Sequence, residues 1–98
     1  MRVLVVDDSE GLRKVLAALL ISAGHETVAS LPDGNGVEAI VARERPDFVF
    51  LDYQLPGRDG LEILASIHAQ SPEVDVLFMT ASTAARIEQR AADAGRPG

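Results

Sequence analysis

The chain has 98 residues, a formal net charge of −6, 47% apolar residues and no cysteine. That composition belongs to one folded domain with a modest core, and it excludes a disordered tract, disulfides, thiolate zinc sites and a cysteine nucleophile. The acidic balance argues against nucleic-acid binding by this segment, because phosphate contacts need a basic surface. No apolar run reaches membrane-spanning length, and MRVLVVDDS at the start has neither the apolar region nor the cleavage site of a signal peptide. A cytoplasmic location without membrane attachment is the expectation.

Residues 2–6, RVLVV, form a β-branched run suited to a strand buried on both faces. From Glu10 to Ala23 the apolar positions Leu12, Val15, Leu16, Leu19 and Leu20 have helical spacing, with Ser9 as N-cap and Gly24 as the stop. Residues 25–30, HETVAS, read as a shorter strand, and Asp33-Gly34-Asn35-Gly36 is turn chemistry. A helix over 36–45 turns Val37, Ile40 and Val41 inward and is broken by Pro46; DFVFL then makes a third strand. Leu61, Ile63, Leu64 and Ile67 mark a third helix capped by Asp59. Pro72 separates it from VDVLFM, a fourth buried strand, and Ser82 or Thr83 caps a last helix, 83–94, that stops at Gly95. This βα alternation implies a parallel sheet with helices on both faces.

In open α/β sheets the ligand site lies outside the carboxyl ends of the strands, near the switch in strand order. Asp7 and Asp8 follow the first strand, Asp52 the third and Thr80 the fourth. Any one of the aspartates alone reads as a helix cap or a loop start. Three together do not, because Ser9 already serves as the cap and each carboxylate pair at roughly 4 Å costs about 4 kcal/mol at an effective dielectric near 20. A hard divalent cation accounts for the cluster. Mg²⁺ takes oxygen ligands, keeps some waters and commonly uses one or two carboxylates plus a phosphate.

VVDDS, FVFLDYQLPGRDGLE and LFMTAS, in this order and spacing, resemble the receiver domain of bacterial response regulators in two-component signalling. DGNGVEAI and AADAG also fit that family's second and fourth helices. The resemblance covers residues 1–95 as the receiver domain and leaves 96–98 as a tail or the start of a linker. It implies a flavodoxin-like (CheY-like) doubly wound α/β fold and a phosphoacceptor signalling domain with no activity on external substrates. By the same resemblance, Asp52 accepts a phosphoryl group from a sensor histidine kinase or phosphotransfer protein. Mg²⁺ is ligated by Asp8 directly, by Asp7 mainly through water, by Asp52 and by the backbone carbonyl of Gln54. Thr80 is the switch hydroxyl that hydrogen-bonds the phosphoryl group, and a downstream output domain or partner protein reads the change. Gln54 and Ser82 border the route of the attacking water.

The family normally has a fifth strand, ending in a lysine that contacts the phosphoryl group, and a fifth helix. The motifs here account for four βα units, and the single lysine, Lys14, lies on the first helix. A fragment of a longer regulator is expected ahead of a variant completed by another chain; the fourth strand or fourth helix then offers a surface for a dimer.

Other readings compete. Gly34-Asn35-Gly36-Val37-Glu38-Ala39 spells a dinucleotide-binding pattern, but Leu31-Pro32-Asp33 separates it from its strand, and a loop-to-helix turn is the plainer account. An aspartyl-nucleophile phosphatase needs a second aspartate two residues beyond the first, where this chain has Gln54. A phosphorylation-independent interaction module is the runner-up. His25, His68, Arg86 and Arg90 read as surface residues, and Thr80 without Asp52 would be an ordinary strand end.

Overall fold

A computed structural model describes residues 1–79, except the side chain of Gln54. Thr80, Ser82, Thr83 and the helix expected over 83–94, with Arg86 and Arg90, lie outside the described residues. The elements in chain order are β1 (Arg2–Val6), α1 (Glu10–Ser22), β2 (Glu26–Leu31), α2 (Val37–Glu44), β3 (Phe48–Asp52), β4 (Gln54–Leu55), β5 (Arg58–Asp59), α3 (Gly60–Gln70) and β6 (Asp75–Met79).

β1, β2, β3 and β6 form one parallel sheet in the order β2-β1-β3-β6. The chain leaves β1 to one side for β2 and returns to its other side for β3, so the switch in strand order falls between β1 and β3. Residues of β1 alternate between two cores. Val3 and Val5 pack with Leu12, Leu16 and Leu20 of α1. Leu4 and Val6 pack on the opposite face with Val37 and Val41 of α2 and Ile63 and Ile67 of α3. Helices thus cover both faces, which is why β1 reads as a continuous apolar run.

The helix ends follow local chemistry. Ser9 Oγ accepts from the Leu12 N–H at 3.2 Å, and Asp59 Oδ1 accepts from the Leu61 N–H at 2.9 Å, so both expected caps are in place. α1 closes through the His25 N–H donating to the Leu20 carbonyl at 2.8 Å. That bond takes His25 out of β2, which starts one residue later than expected; pairing of Leu31 with Val6 extends its other end by one residue. α2 is shorter than 36–45 because Gly36 (φ 74°) and Arg45 (φ 47°) are both left-handed. Pro46 disfavours helical backbone at Arg45.

Three other expectations change. β3 ends on Asp52 itself, so this carboxylate belongs to the last strand residue and not to the loop. VDVLFM is not buried throughout: Asp75 and Leu77 are exposed while Val76 and Phe78 are partly covered, because among the described strands β6 pairs only with β3. Leu61 is 51% exposed, so Ile63 and Ile67 carry the inner face of α3.

Candidate functional site

The β1 ladder runs past its last strand residue. The Asp7 N–H donates to the Leu31 carbonyl at 3.0 Å, which pins Asp7 at the C-terminal end of the sheet. Its Oδ1 accepts from the Ser9 N–H at 2.7 Å, linking the carboxylate to the cap of α1. On β3, Val6 is in register with Leu51, and Asp52 follows beside Met79 of β6. The Tyr53 N–H donates to the Met79 carbonyl at 3.2 Å and carries that ladder one residue further.

These ladders bring Asp7, Asp8 and Asp52 together, with one carboxylate oxygen of each within 4.8 Å of the others. Asp7 is 3% exposed, Asp52 is half-buried and Asp8 faces solvent. Burial pushes the Asp7 carboxyl above its usual range, and the Asp8 charge adds to that. The Ser9 N–H, the Arg13 guanidinium and the contact with Asp52 oppose it. Carboxylates at 4.8 Å repel by roughly 3 kcal/mol per pair at an effective dielectric near 20. Three hard oxygen donors converging on one point, one of them desolvated, fit a divalent cation that prefers oxygen.

The segment after Asp52 is a small hairpin that sequence periodicity does not show. Gln54 pairs with Asp59 and Leu55 with Arg58, antiparallel, around Pro56-Gly57. Pro second and Gly third, with Gly57 at φ 79°, is type II turn chemistry. A Cβ at Gly60 would stand 2.9 Å from the Tyr53 carbonyl oxygen and 3.0 Å from that of Asp52. Glycine there lets the start of α3 close onto the backbone beside Asp52. Tyr53 is exposed and sets its ring edge-on to Phe78, centroids 5.9 Å apart.

Two arginines escaped the sequence reading. Arg58 Nη1 donates to the Gly34 carbonyl at 2.9 Å and to Glu38 Oε1 at 2.8 Å, while Nη2 reaches Glu62 Oε1 at 3.2 Å. This ties the hairpin to α2, and Glu38 is held below the usual carboxylate range chiefly by that bond. Arg13 Nη1 donates to the Asp7 carbonyl at 2.6 Å. The Arg58 contacts span 20 and 24 residues and left no local signal. Arg13 stands six residues after Asp7, a spacing that permits a fold-back onto the preceding loop without requiring one.

The glycine pattern at 34–36 serves packing and turning. A Cβ on Gly34 would lie 2.7 Å from Ile63 Cδ1, Gly36 takes a left-handed turn, and Asp33 Oδ1 accepts from the Asn35 N–H at 2.9 Å. His25 Nδ1 sits 2.8 Å from the N-terminal amine, and His68 is exposed on α3.

The family model for the response regulator receiver domain matches residues 3–98. Sporulation initiation phosphotransferase F of Bacillus subtilis is 39% identical over 82 residues, covering 82% of this chain and 64% of that protein. Response regulator protein FleR of Pseudomonas aeruginosa is 37% identical over 97 residues, covering 99% of this chain but 20% of that protein. Among solved structures, a CheX–CheY–BeF3–Mg²⁺ complex from Borrelia burgdorferi superposes with a TM-score of 0.78 at 25% identity, over 97% of this chain and 72% of that one. The response regulator domain of Thermotoga maritima CheB shares the fold, with a TM-score of 0.70 at 21% identity over 96% of this chain and 95% of that one. This chain belongs to the response regulator receiver domain family, the phosphoacceptor module of two-component signalling. It spans 64% and 20% of the lengths of the two relatives described.

Proposed function

We propose that Asp52 is the phosphoacceptor of this receiver domain, and that Asp7, Asp8, Asp52 and the Gln54 backbone carbonyl hold Mg²⁺ beside it. The observation that carries this reading is the convergence, within 4.8 Å at the switch point of the sheet, of two carboxylates just past the end of β1 and one on the last residue of the neighbouring β3. A carboxylate is a weak nucleophile, and a bound cation offsets the charge between it and an approaching phosphoryl group. An Asp52 oxygen attacks phosphorus in line. The bond from phosphorus to the donor's imidazole nitrogen breaks, and the imidazole leaves with the electron pair. β3 sets Asp52 at its last position, and glycine at 60 lets α3 start against the backbone of Asp52. Asp7, desolvated and held by the Ser9 N–H, keeps the opposite wall of the site in place.

The added charge and acceptor oxygens on Asp52 are then read by the Thr80 hydroxyl, which makes a local charge event into a change of surface. Gln54 and Ser82 set how fast water removes the phosphoryl group; exchanging either changes the dephosphorylation rate. The donor is a sensor histidine kinase or phosphotransfer protein in the cytoplasm, and an output domain or partner protein responds. In support, no helix of the described residues is long and apolar enough to cross a membrane.

The test is intact-mass analysis after incubation with acetyl phosphate, with and without Mg²⁺, beside Asp52→Asn. One added phosphoryl group that needs both Mg²⁺ and Asp52 is the expected result. A folded sample that takes no phosphoryl group, or takes one on Asp52→Asn, rejects the assignment.

A further inference from the structure

The three carboxylates need a counterweight, and α1 carries one. Arg2, Lys14, Arg43 and Arg58 are each drawn to glutamates elsewhere on the molecule. Arg13 behaves differently. It is half-buried on the first turn of α1, and its Nη1 donates to the backbone carbonyl of Asp7 at 2.6 Å. The same helix turn is closed by the Arg13 N–H donating to the Ser9 carbonyl at 3.0 Å, and Ser9 in turn holds the Asp7 carboxylate. The guanidinium is therefore anchored to the loop that presents Asp7 and Asp8, close enough to oppose the effect of burial on the Asp7 carboxyl.

We propose that Arg13 is a positioning residue that sets the charge balance of this site: it weakens cation binding and strengthens the attraction of the phosphodonor. The inference rests on the Mg²⁺ and Asp52 reading above. A fixed positive charge anchored at Asp7 repels a divalent cation held there and attracts a donor that is itself an anion, so its removal moves the two affinities in opposite directions. A purely structural tie would move them together, because a loosened Asp7–Asp8 loop would hold the cation less well and react less well.

Arg13→Gln and Arg13→Met are compared with Arg13→Lys and the wild-type chain. Mg²⁺ affinity is read by calorimetry, acetyl phosphate uptake by mass at subsaturating and saturating donor, and folding by thermal unfolding in chelator. Arg13→Met keeps the apolar stem should Arg13→Gln fold poorly. For the neutral variants we expect Mg²⁺ to bind about three- to tenfold more tightly, and KM for the donor to rise by a similar factor at an unchanged saturating rate. Both effects shrink at high ionic strength, and Arg13→Lys restores wild-type values. Neutral variants that are folded yet bind Mg²⁺ equally or more weakly overturn the proposal alone. A wild-type chain that binds no Mg²⁺ overturns the underlying reading and the proposal with it.

Discussion

Asp7→Asn isolates what the acidic cluster costs the fold. Asp7 is 3% exposed, its carboxyl is raised chiefly by burial, and its oxygen lies within 4.8 Å of those of Asp8 and Asp52. Asparagine has the same shape and keeps the oxygen that accepts from the Ser9 N–H at 2.7 Å. Each charge pair represents roughly 3 kcal/mol at an effective dielectric near 20. Burial is the main cost of ionised Asp7; solvent screens most of the pair with the exposed Asp8, and Arg13 and the contact with Asp52 offset part of the rest. In chelator, Asp7→Asn should gain about 1–3 kcal/mol, which for a domain of this size raises Tm on the order of 5–15 °C. The sign with pH follows from the raised carboxyl. Ionised Asp7 is penalised above its elevated folded pKa, and the penalty disappears as pH falls towards the ordinary value of 3.8. The advantage of Asp7→Asn is therefore full at neutral pH and vanishes in acid. Mg²⁺ closes this gap or reverses it. At a concentration of about 100 times Kd it stabilises the wild-type chain by roughly 2.7 kcal/mol, and the variant by much less. Thermal unfolding by circular dichroism, in chelator and in Mg²⁺, measures all of this. A variant less stable than wild type in chelator, or a gap that Mg²⁺ leaves unchanged, would refute the reasoning.

Gly60→Ala should lose about 1–3 kcal/mol in urea unfolding, since its Cβ would meet backbone oxygens at 2.9 and 3.0 Å. Wild-type stability in this variant would mean that α3 can move away from Asp52 freely. Glu38→Gln should cost about 1 kcal/mol at pH 7, discounted for the partial exposure of the Arg58 pair. Because the folded pKa of Glu38 is lowered, that contribution is present above its ordinary value of 4.5 and is lost as pH falls through the folded value. Parallel urea curves from pH 7 to pH 3 should therefore converge in acid; a constant gap counts against the ion pair. Ile63→Ala, at 0% exposure under α3, should cost about 2–5 kcal/mol by the same assay, and a loss below 1 kcal/mol would place Ile63 outside the core.

Much of the site was legible because its determinants are local. Ser9 and Asp59 cap the helices that their spacing announces, and an aspartate directly against the apolar run of β3 stands out, although the strand proves to include it. The hairpin at 54–59 was not legible, because two-residue strands carry no periodicity; only the Pro56-Gly57 turn marks it. Leu61 fits the apolar spacing of α3 yet faces solvent, because helix rotation is chosen by what Ile63 and Ile67 bury. The shift of β2 by one residue came from a helix-closing bond at His25 and from pairing of Leu31 with Val6, neither of which apolar spacing reports.

By itself the sequence determined the alternation of strands and helices, the caps of α1 and α3, and the set of acidic residues at strand ends. These depend on side-chain period and on caps within a few residues. Only the tertiary structure decided that the Leu31 carbonyl pins Asp7 and that Arg13 reaches back to its carbonyl. It also decided that Arg58 ties the segment after Asp52 to Gly34 and Glu38. The physical reason is register. Parallel pairing of β1 with β2 and β3 sets which strand ends coincide, and a shift of one residue would separate the three carboxylates that make the site.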